Sequence, residues 1–306
     1  ILEFYNNGLS KKDFQDKQNN INAILEECRE IDIITEKDNK FIQVITVPTN
    51  AIPPRIVFNR TKYLSDKENI INLGIGKRGL VSWNLVEMPH AVIAGSTNSG
   101  KTVLLLSIIS QFIIKKNFDF YIIDYSKKGI DYLSSFPNIN NSIITEEYST
   151  LNTINMILNE MDRRLELFKA NGVKKFEEYN KLGREKLKRI VLIFDEVSDA
   201  LDKDGQSKEQ REIIAQIEAG ISKLCKLSRF AGISVILSGQ RIDANLLSGH
   251  IRSNIPYRIC GRADKNLSNV VLGDYSASES ILTNERGLFI DTNGTVFRGF
   301  LPDVIL

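Results

Sequence analysis

Residues 91–104 read AVIAGSTNSGKTVL, and this stretch decides the fold. An apolar run ends at Gly95, residues 95–102 match G-x-x-x-x-G-K-[ST], and the apolar segment KTVLLLSIISQFIIKK follows. A strand that turns through a glycine-rich loop into a helix is the context that makes this pattern a phosphate site. Gly95, Ser96, Thr97, Asn98, Ser99 and Gly100 would turn backbone N–H groups toward an anion, with the positive end of the helix behind them. Lys101 would supply a charge to β- and γ-phosphates, and Thr102 a hydroxyl to Mg²⁺. ATP and Mg²⁺ are therefore the expected cofactors. No N-K-x-D-like segment that would favour guanine is visible.

Downstream the pattern alternates. FDFYIIDY, KRIVLIFDE and ISVILSGQ are apolar throughout and read as buried strands. TLNTINMILNEMDRRLELFKANG and EIIAQIEAGISKLCKLSRFAG, between them, read as helices, the first stopping at Gly172. YRICGR, GLFIDT and TVFRGF read as later strands. Apolar strands separated by helices imply an α/β fold, with a mostly parallel sheet covered by helices on both faces. The polar stretch 202–210, DKDGQSKEQ, is expected to be an exposed loop.

Two further elements complete the site. IVLIFDE ends on Asp195 and Glu196, where a carboxylate would hold the Mg²⁺ shell and its neighbour would polarise the attacking water. VILSGQR ends on Gln240, placed to sense the γ-phosphate. A comparison of VILSGQR with the L-S-G-G-Q signature of ABC transporters fails: one glycine is missing, and it ends a strand instead of opening a helix.

Ahead of the loop, residues 10–29 start at a capping-type Ser10 and place Phe14, Ile21, Ile24 and Leu25 on one helical face. DIITEKDNKFIQVITV reads as two strands around a Lys-Asp-Asn-Lys turn, and PTNAIPPR breaks the chain. INLGIGKRGLVSWNL reads as a hairpin leading into the main domain. The expected division is a small α+β lobe over 1–57 and a motor domain over 58–306.

Composition narrows the class. The 306 residues carry a net charge of +2, so any nucleic-acid contact must come from local patches. Three cysteines and two histidines without metal-ligand spacing argue against a zinc site or disulfide framework. The chain starts at Ile1 and has no apolar run of membrane-spanning length, so it is expected to be a soluble piece of a longer protein.

These residues carry a resemblance. NLVEMPHAVIAGSTNSGKTV, with Met88, Pro89 and His90, resembles the phosphate-loop block of the FtsK/SpoIIIE DNA translocases. EMDRRLELFKANGVKKFEEYN, KLCKLSRFAGISVILSGQR and HIRSNIPYRI resemble the later blocks, in the same order. The chain is most similar to the FtsK-like coupling ATPases of conjugative elements in Gram-positive bacteria. It departs from the family at Thr102 for the usual Ser, at Gly239 for the usual Thr, and at Gly287-Leu288 behind Glu285 and Arg286. The resemblance implies a RecA-like P-loop NTPase that pumps DNA through a homo-oligomeric ring, with six subunits expected. It implies sequence-independent DNA binding and, as partners, a relaxase and membrane secretion-channel proteins, at the cytoplasmic face of the membrane. A neighbour would supply an arginine finger: Arg258, with Arg163 or Arg164 as alternatives. Lys127, Lys128, Arg241 and Arg252 are the candidates for DNA contact. The competing class is a type VII-like protein-secretion ATPase.

Overall fold

Two sheets form, one antiparallel and one mixed. The computed structural model describes residues 2–5, 8–18, 20–21, 29–37, 40–48, 52–126, 143–242 and 249–302. The first sheet holds β1 (Leu2–Tyr5), β2 (Arg29–Lys37) and β3 (Phe41–Pro48) in the order β1-β3-β2, all antiparallel. Helix α1 (Lys11–Asp16) starts where the sequence places it. Ser10 and Asp13 form a capping box, with Ser10 N–H donating to Asp13 Oδ2 at 2.6 Å. Phe14 and Ile21 pack on Ile31, Ile34, Ile42 and Val44. Ile24 and Leu25 lie outside the described residues.

The second sheet is built from β4 (Ile70–Gly76), β5 (Gly79–Asn84), β6 (Ala91–Ala94), β7 (Phe118–Ile123), β8 (Arg189–Phe194), β9 (Ile233–Gly239), β10 (Tyr257–Cys260), β11 (Leu288–Asp291) and β12 (Val296–Gly299). Its order is β5-β4-β12-β11-β10-β6-β9-β8-β7. From β10 to β7 the strands run parallel, as the apolar runs lead one to expect. β11, β12, β4 and β5 extend it as an antiparallel wing, so the sheet is the mixed α/β sheet of a P-loop NTPase. Ile56 and Phe58 belong with this wing: Phe58 N–H donates to the Leu301 carbonyl at 2.9 Å, and Leu301 N–H to that of Ile56 at 2.8 Å.

Helices cover both faces of the parallel strands, namely α2 (Lys101–Lys115), α3 (Glu147–Ala170), α4 (Lys208–Leu227) and α5 (Lys265–Leu272). On one face Leu104, Leu105, Ile108 and Phe112 of α2 pack against Ile93, Phe120 and Ile193. On the other, Ile154 and Met161 of α3 and Ile217 and Ile221 of α4 pack against Val92, Leu192 and Phe194. Each such side chain contributes about 1.5–3 kcal/mol when fully buried. The stretch 202–210 is a loop only as far as Ser207, which caps α4 through a box with Gln210. At the foot of β6, His90 Nδ1 accepts the Val235 N–H at 3.1 Å. Burial, together with nearby Arg189 and Arg229, pushes its pKa down to about 3, so this tie stays neutral. Among the described residues no helix is long and apolar enough to cross a membrane.

Candidate nucleotide site

The loop after β6 is held from three sides. Gly95 N–H points to the Gly239 carbonyl at 3.4 Å, and Ser96 N–H donates to that of Arg262 at 2.7 Å. The Ser99 carbonyl accepts Gly287 N–H at 2.7 Å. Asn98 and Gly100 have positive φ values of 64° and 96°. A Cβ at Gly100 would lie 3.0 Å from both Cα and N of Gly287, which is backbone and cannot swing aside. The left-handed conformation alone costs a non-glycine residue roughly 1–2 kcal/mol. Gly100→Ala should therefore lower the melting temperature by about 4–8 °C, the shift expected for a loss of roughly 2 kcal/mol. It should also weaken nucleotide binding; an unchanged melting curve would show that the loop relaxes without cost.

Lys101 opens α2, is 4% exposed, and reaches across to the end of β8. Its Nζ donates to the Asp195 carbonyl at 3.0 Å and to Glu196 Oε2 at 2.9 Å. Glu196 is held by more than the lysine. Its carboxylate accepts Gln240 N–H at 2.8 and 3.0 Å and the Ser198 hydroxyl at 2.6 Å. Gly239 makes this possible, because a Cβ there would sit 3.0 Å from Glu196 Oε1 and 2.9 Å from Ile242 Cγ1. A threonine at 239 would have to displace the Ile242 and Glu196 side chains. Gln240 Oε1 in turn accepts from Thr97 Oγ1 at 2.7 Å, joining the end of β9 to the phosphate loop. Asp195 is 5% exposed. Burial raises its pKa to about 6, against the pull of Lys101 and with a further push from Asp124.

Two cavities meet at this point. One, of about 450 Å³, runs along the loop from Ser96 to Val103 and is closed by Arg55, Arg286, Arg298 and Leu301. Its volume falls within the range of small-molecule sites, and its cations suit an anion. The other, of about 390 Å³, holds Asp195, Glu196, Ser198, Asp199 and Arg241. Lys101, Thr102 and Gln240 line both. Thr102 and Asp195 therefore face one space, and Asp195 Oδ1 is buried without a hydrogen-bond partner. A hydroxyl and an unsatisfied carboxylate oxygen fit Mg²⁺, a hard cation that takes oxygen ligands.

The remaining candidates fall in different places. Arg258 lies on β10, partly exposed, with Nη1 on the Ile255 carbonyl at 3.0 Å and a buried, unpartnered Nε. Arg163 is exposed and grips Glu160 through two bonds of 2.6 and 2.9 Å. Arg164 is 3% exposed and bonds Glu160 and the Ala231 carbonyl. Reaching a neighbour would break both contacts and leave a hole under α3, so Arg164 is committed to its own fold. Arg241 lines the second cavity instead of lying apart from the nucleotide side. Arg252 donates to the Asn269 carbonyl at 3.3 Å. Lys127 and Lys128 lie outside the described residues.

Several contributors escaped the sequence reading. Arg262, just beyond β10, bonds the carbonyls of Thr97 and Thr283 and braces the loop directly, while Arg298 on β12 of the antiparallel wing bonds the Arg286 carbonyl and Glu285. Nothing in their local sequence marks them, because the order β12-β11-β10-β6 brings them in. The one available signal was the Glu285-Arg286 departure beside Gly287. Asp124 also went unremarked, although FDFYIID ends on an acid just as IVLIFDE does.

Comparison with known proteins shows the family and the fold. The model of the FtsK/SpoIIIE family matches residues 60–222, more than half of the chain. The DNA translocase FtsK of Caldanaerobacter subterraneus subsp. tengcongensis is 31% identical over 255 residues, covering 80% of this chain and 35% of that protein. The chain thus spans about a third of the length of such relatives. Among solved structures, the pCW3 conjugation coupling protein TcpA, in its monomer form with ATPγS, superposes with a TM-score of 0.76. It is 28% identical, and the match covers 98% of this chain and 84% of that one. ATPases 2 and 3 of EssC from Geobacillus thermodenitrificans share the fold, with a TM-score of 0.69 at 16% identity over 82% of this chain and 47% of theirs.

Proposed function

This chain belongs to the FtsK/SpoIIIE family, and from that premise we propose that it is the motor of an ATP-driven DNA translocase, acting as a coupling ATPase in conjugative transfer. The observation that carries the reading is the meeting of Lys101, Thr102, Asp195, Glu196 and Gln240 where two cavities join. The extent of the match to a conjugation coupling protein favours the conjugative role over chromosome segregation.

In this reading the phosphates lie along the loop from Gly95 to Thr102. Thr102 and Asp195 would hold Mg²⁺, which would supply charge neutralisation to the phosphates. Lys101 now neutralises Glu196; an arriving γ-phosphate competes for the same ammonium and releases the carboxylate. Glu196 then takes a proton from the attacking water as general base. Gln240, bonded to both Thr97 and Glu196, transmits the loss of the γ-phosphate to β9. Arg258 is the arginine finger offered to a neighbouring subunit, with Arg163 as the alternative.

The proposed units are a lobe over residues 1–57, whose last residues Ile56 and Val57 join the antiparallel wing, and a motor over 58–306, working as a homo-oligomeric, hexameric ring around DNA at the cytoplasmic face of the membrane. A relaxase and secretion-channel proteins are the proposed partners. Arg252, with Lys127 and Lys128, is proposed to contact DNA phosphates, and the ring repeats each of them; Arg241, in the cavity with Asp195, is not counted among them.

The test is ATPase rate against random duplex DNA at two salt concentrations. DNA should stimulate turnover without sequence preference. Apparent affinity should fall by about 10³–10⁵ between 50 and 200 mM salt if six to ten phosphates are neutralised. An ATPase indifferent to DNA at low salt, in a preparation that forms rings, would favour protein secretion instead.

A further inference from the structure

β7 and β8 are parallel neighbours, with Ile123 opposite Phe194, so the next residues, Asp124 and Asp195, lie side by side. The Asp195 N–H donates to the Ile123 carbonyl at 3.0 Å, which carries the ladder up to this pair. Adjacent strands are about 4.8 Å apart, so the two carboxyl groups share one small volume. Asp124 is fully buried at 0% exposure, and Asp195 is 5% exposed.

Each carboxyl group leaves one oxygen unsatisfied. Asp124 Oδ1 accepts the Ser126 N–H at 2.9 Å and the Ser126 hydroxyl at 2.6 Å, but Asp124 Oδ2 has no hydrogen-bond partner. Asp195 Oδ1 has none either. Lys101 does not answer them, since its ammonium goes to the Asp195 backbone carbonyl and to Glu196. An unsatisfied buried acceptor is destabilising and rare in native structures, and two on adjacent strand ends call for a cation or its water. Among the described residues no three His, Cys, Asp or Glu side chains converge as a metal cage. That leaves a pair of carboxylates at the strand ends. Such a pair suits Mg²⁺, which keeps several waters and binds through one or two carboxylates plus substrate phosphates.

We propose that Asp124 is a positioning residue for the divalent-cation site, a buried carboxylate on the neighbouring strand end that orients Asp195 toward the cation. The Ser126 clamp fixes Asp124 Oδ1 and so presents Oδ2. Asp124 is buried beside Asp195 and does not line the cavity that contains Thr102, Asp195 and Ser126, so it would act through Asp195 and not as a ligand itself. The inference rests on the nucleotide reading above.

The test is a Mg²⁺ titration of the binding of a fluorescent, non-hydrolysable ATP analogue to wild type and Asp124→Asn. Asparagine keeps the shape and removes the charge. The Mg²⁺ midpoint should rise about 10-fold, within the 10–100-fold range of outer-shell substitutions, while affinity in EDTA stays unchanged. A midpoint within two-fold of wild type in a folded variant would overturn the proposal. So would an equal loss of affinity with and without metal, which marks general damage. If Asp124→Asn does not fold, Ser126→Ala should raise the midpoint by a smaller factor, and no shift there also overturns the proposal. A wild-type protein that binds the analogue under neither condition would overturn the nucleotide reading, and this inference with it.

Discussion

Glu196→Gln should lose about 10²–10⁴-fold in ATP turnover, the range typical of a general base, while binding ATP at least as tightly as wild type. The two effects share one geometry. Glutamine keeps an oxygen that accepts the Gln240 N–H and the Ser198 hydroxyl, so the turn after β8 stays in place. It cannot take a proton from water at neutral pH. It also removes the anion 2.9 Å from Lys101, whose side chain is 5% exposed. Without ligand, Lys101 is left with one carbonyl, and a buried charge that loses its partner is destabilising. Phosphates no longer compete with Glu196 for the ammonium. The variant should therefore melt lower than wild type alone and gain more on adding ATP. Steady-state ATPase rates and melting curves with and without nucleotide measure both effects. Turnover at the normal rate would remove Glu196 from the mechanism.

Lys101→Ala should move the same two quantities in a different combination. The charge that meets the β- and γ-phosphates is gone, so turnover should fall by at least about 10²-fold, as it does when one preorganised donor is removed from a reacting site. Affinity for ATP should fall as well, opposite to the change in Glu196→Gln. The site keeps its shape on the carboxylate side, since Glu196 retains Gln240 and Ser198. Anisotropy of a labelled ATP analogue separates the cases: weaker binding in Lys101→Ala and equal or tighter binding in Glu196→Gln. Equal affinity of Lys101→Ala and wild type would mean that the phosphates do not reach Lys101.

How far each residue could be read depended on how local its cause was. Asp195 and Glu196 were legible because a run of apolar residues that ends in two acids is contiguous. Arg163 and Arg164 looked equivalent as neighbours in sequence, yet on a helix adjacent side chains point about 100° apart. Arg164 shares the stripe of Ile157, Met161 and Phe168, all buried, and Arg163 does not. That spacing was present in the sequence and would have separated the two. Arg241 was harder: it follows Gln240 directly, but the bend after β9 turns it into the cavity with Asp195.

By itself the sequence determined the α/β class, the strand–loop–helix that makes the phosphate loop, and the carboxylates at the end of β8. These follow from side-chain periodicity, glycine conformations and caps within a few residues of each other. Only the tertiary structure decided which strands lie side by side. The antiparallel wing sets Gly287 against Gly100 and Arg298 beside the loop, and the β7–β8 pairing sets Asp124 beside Asp195. Lateral order depends on closing long loops and burying both faces of the whole sheet at once, so no short spacing in the chain encodes it.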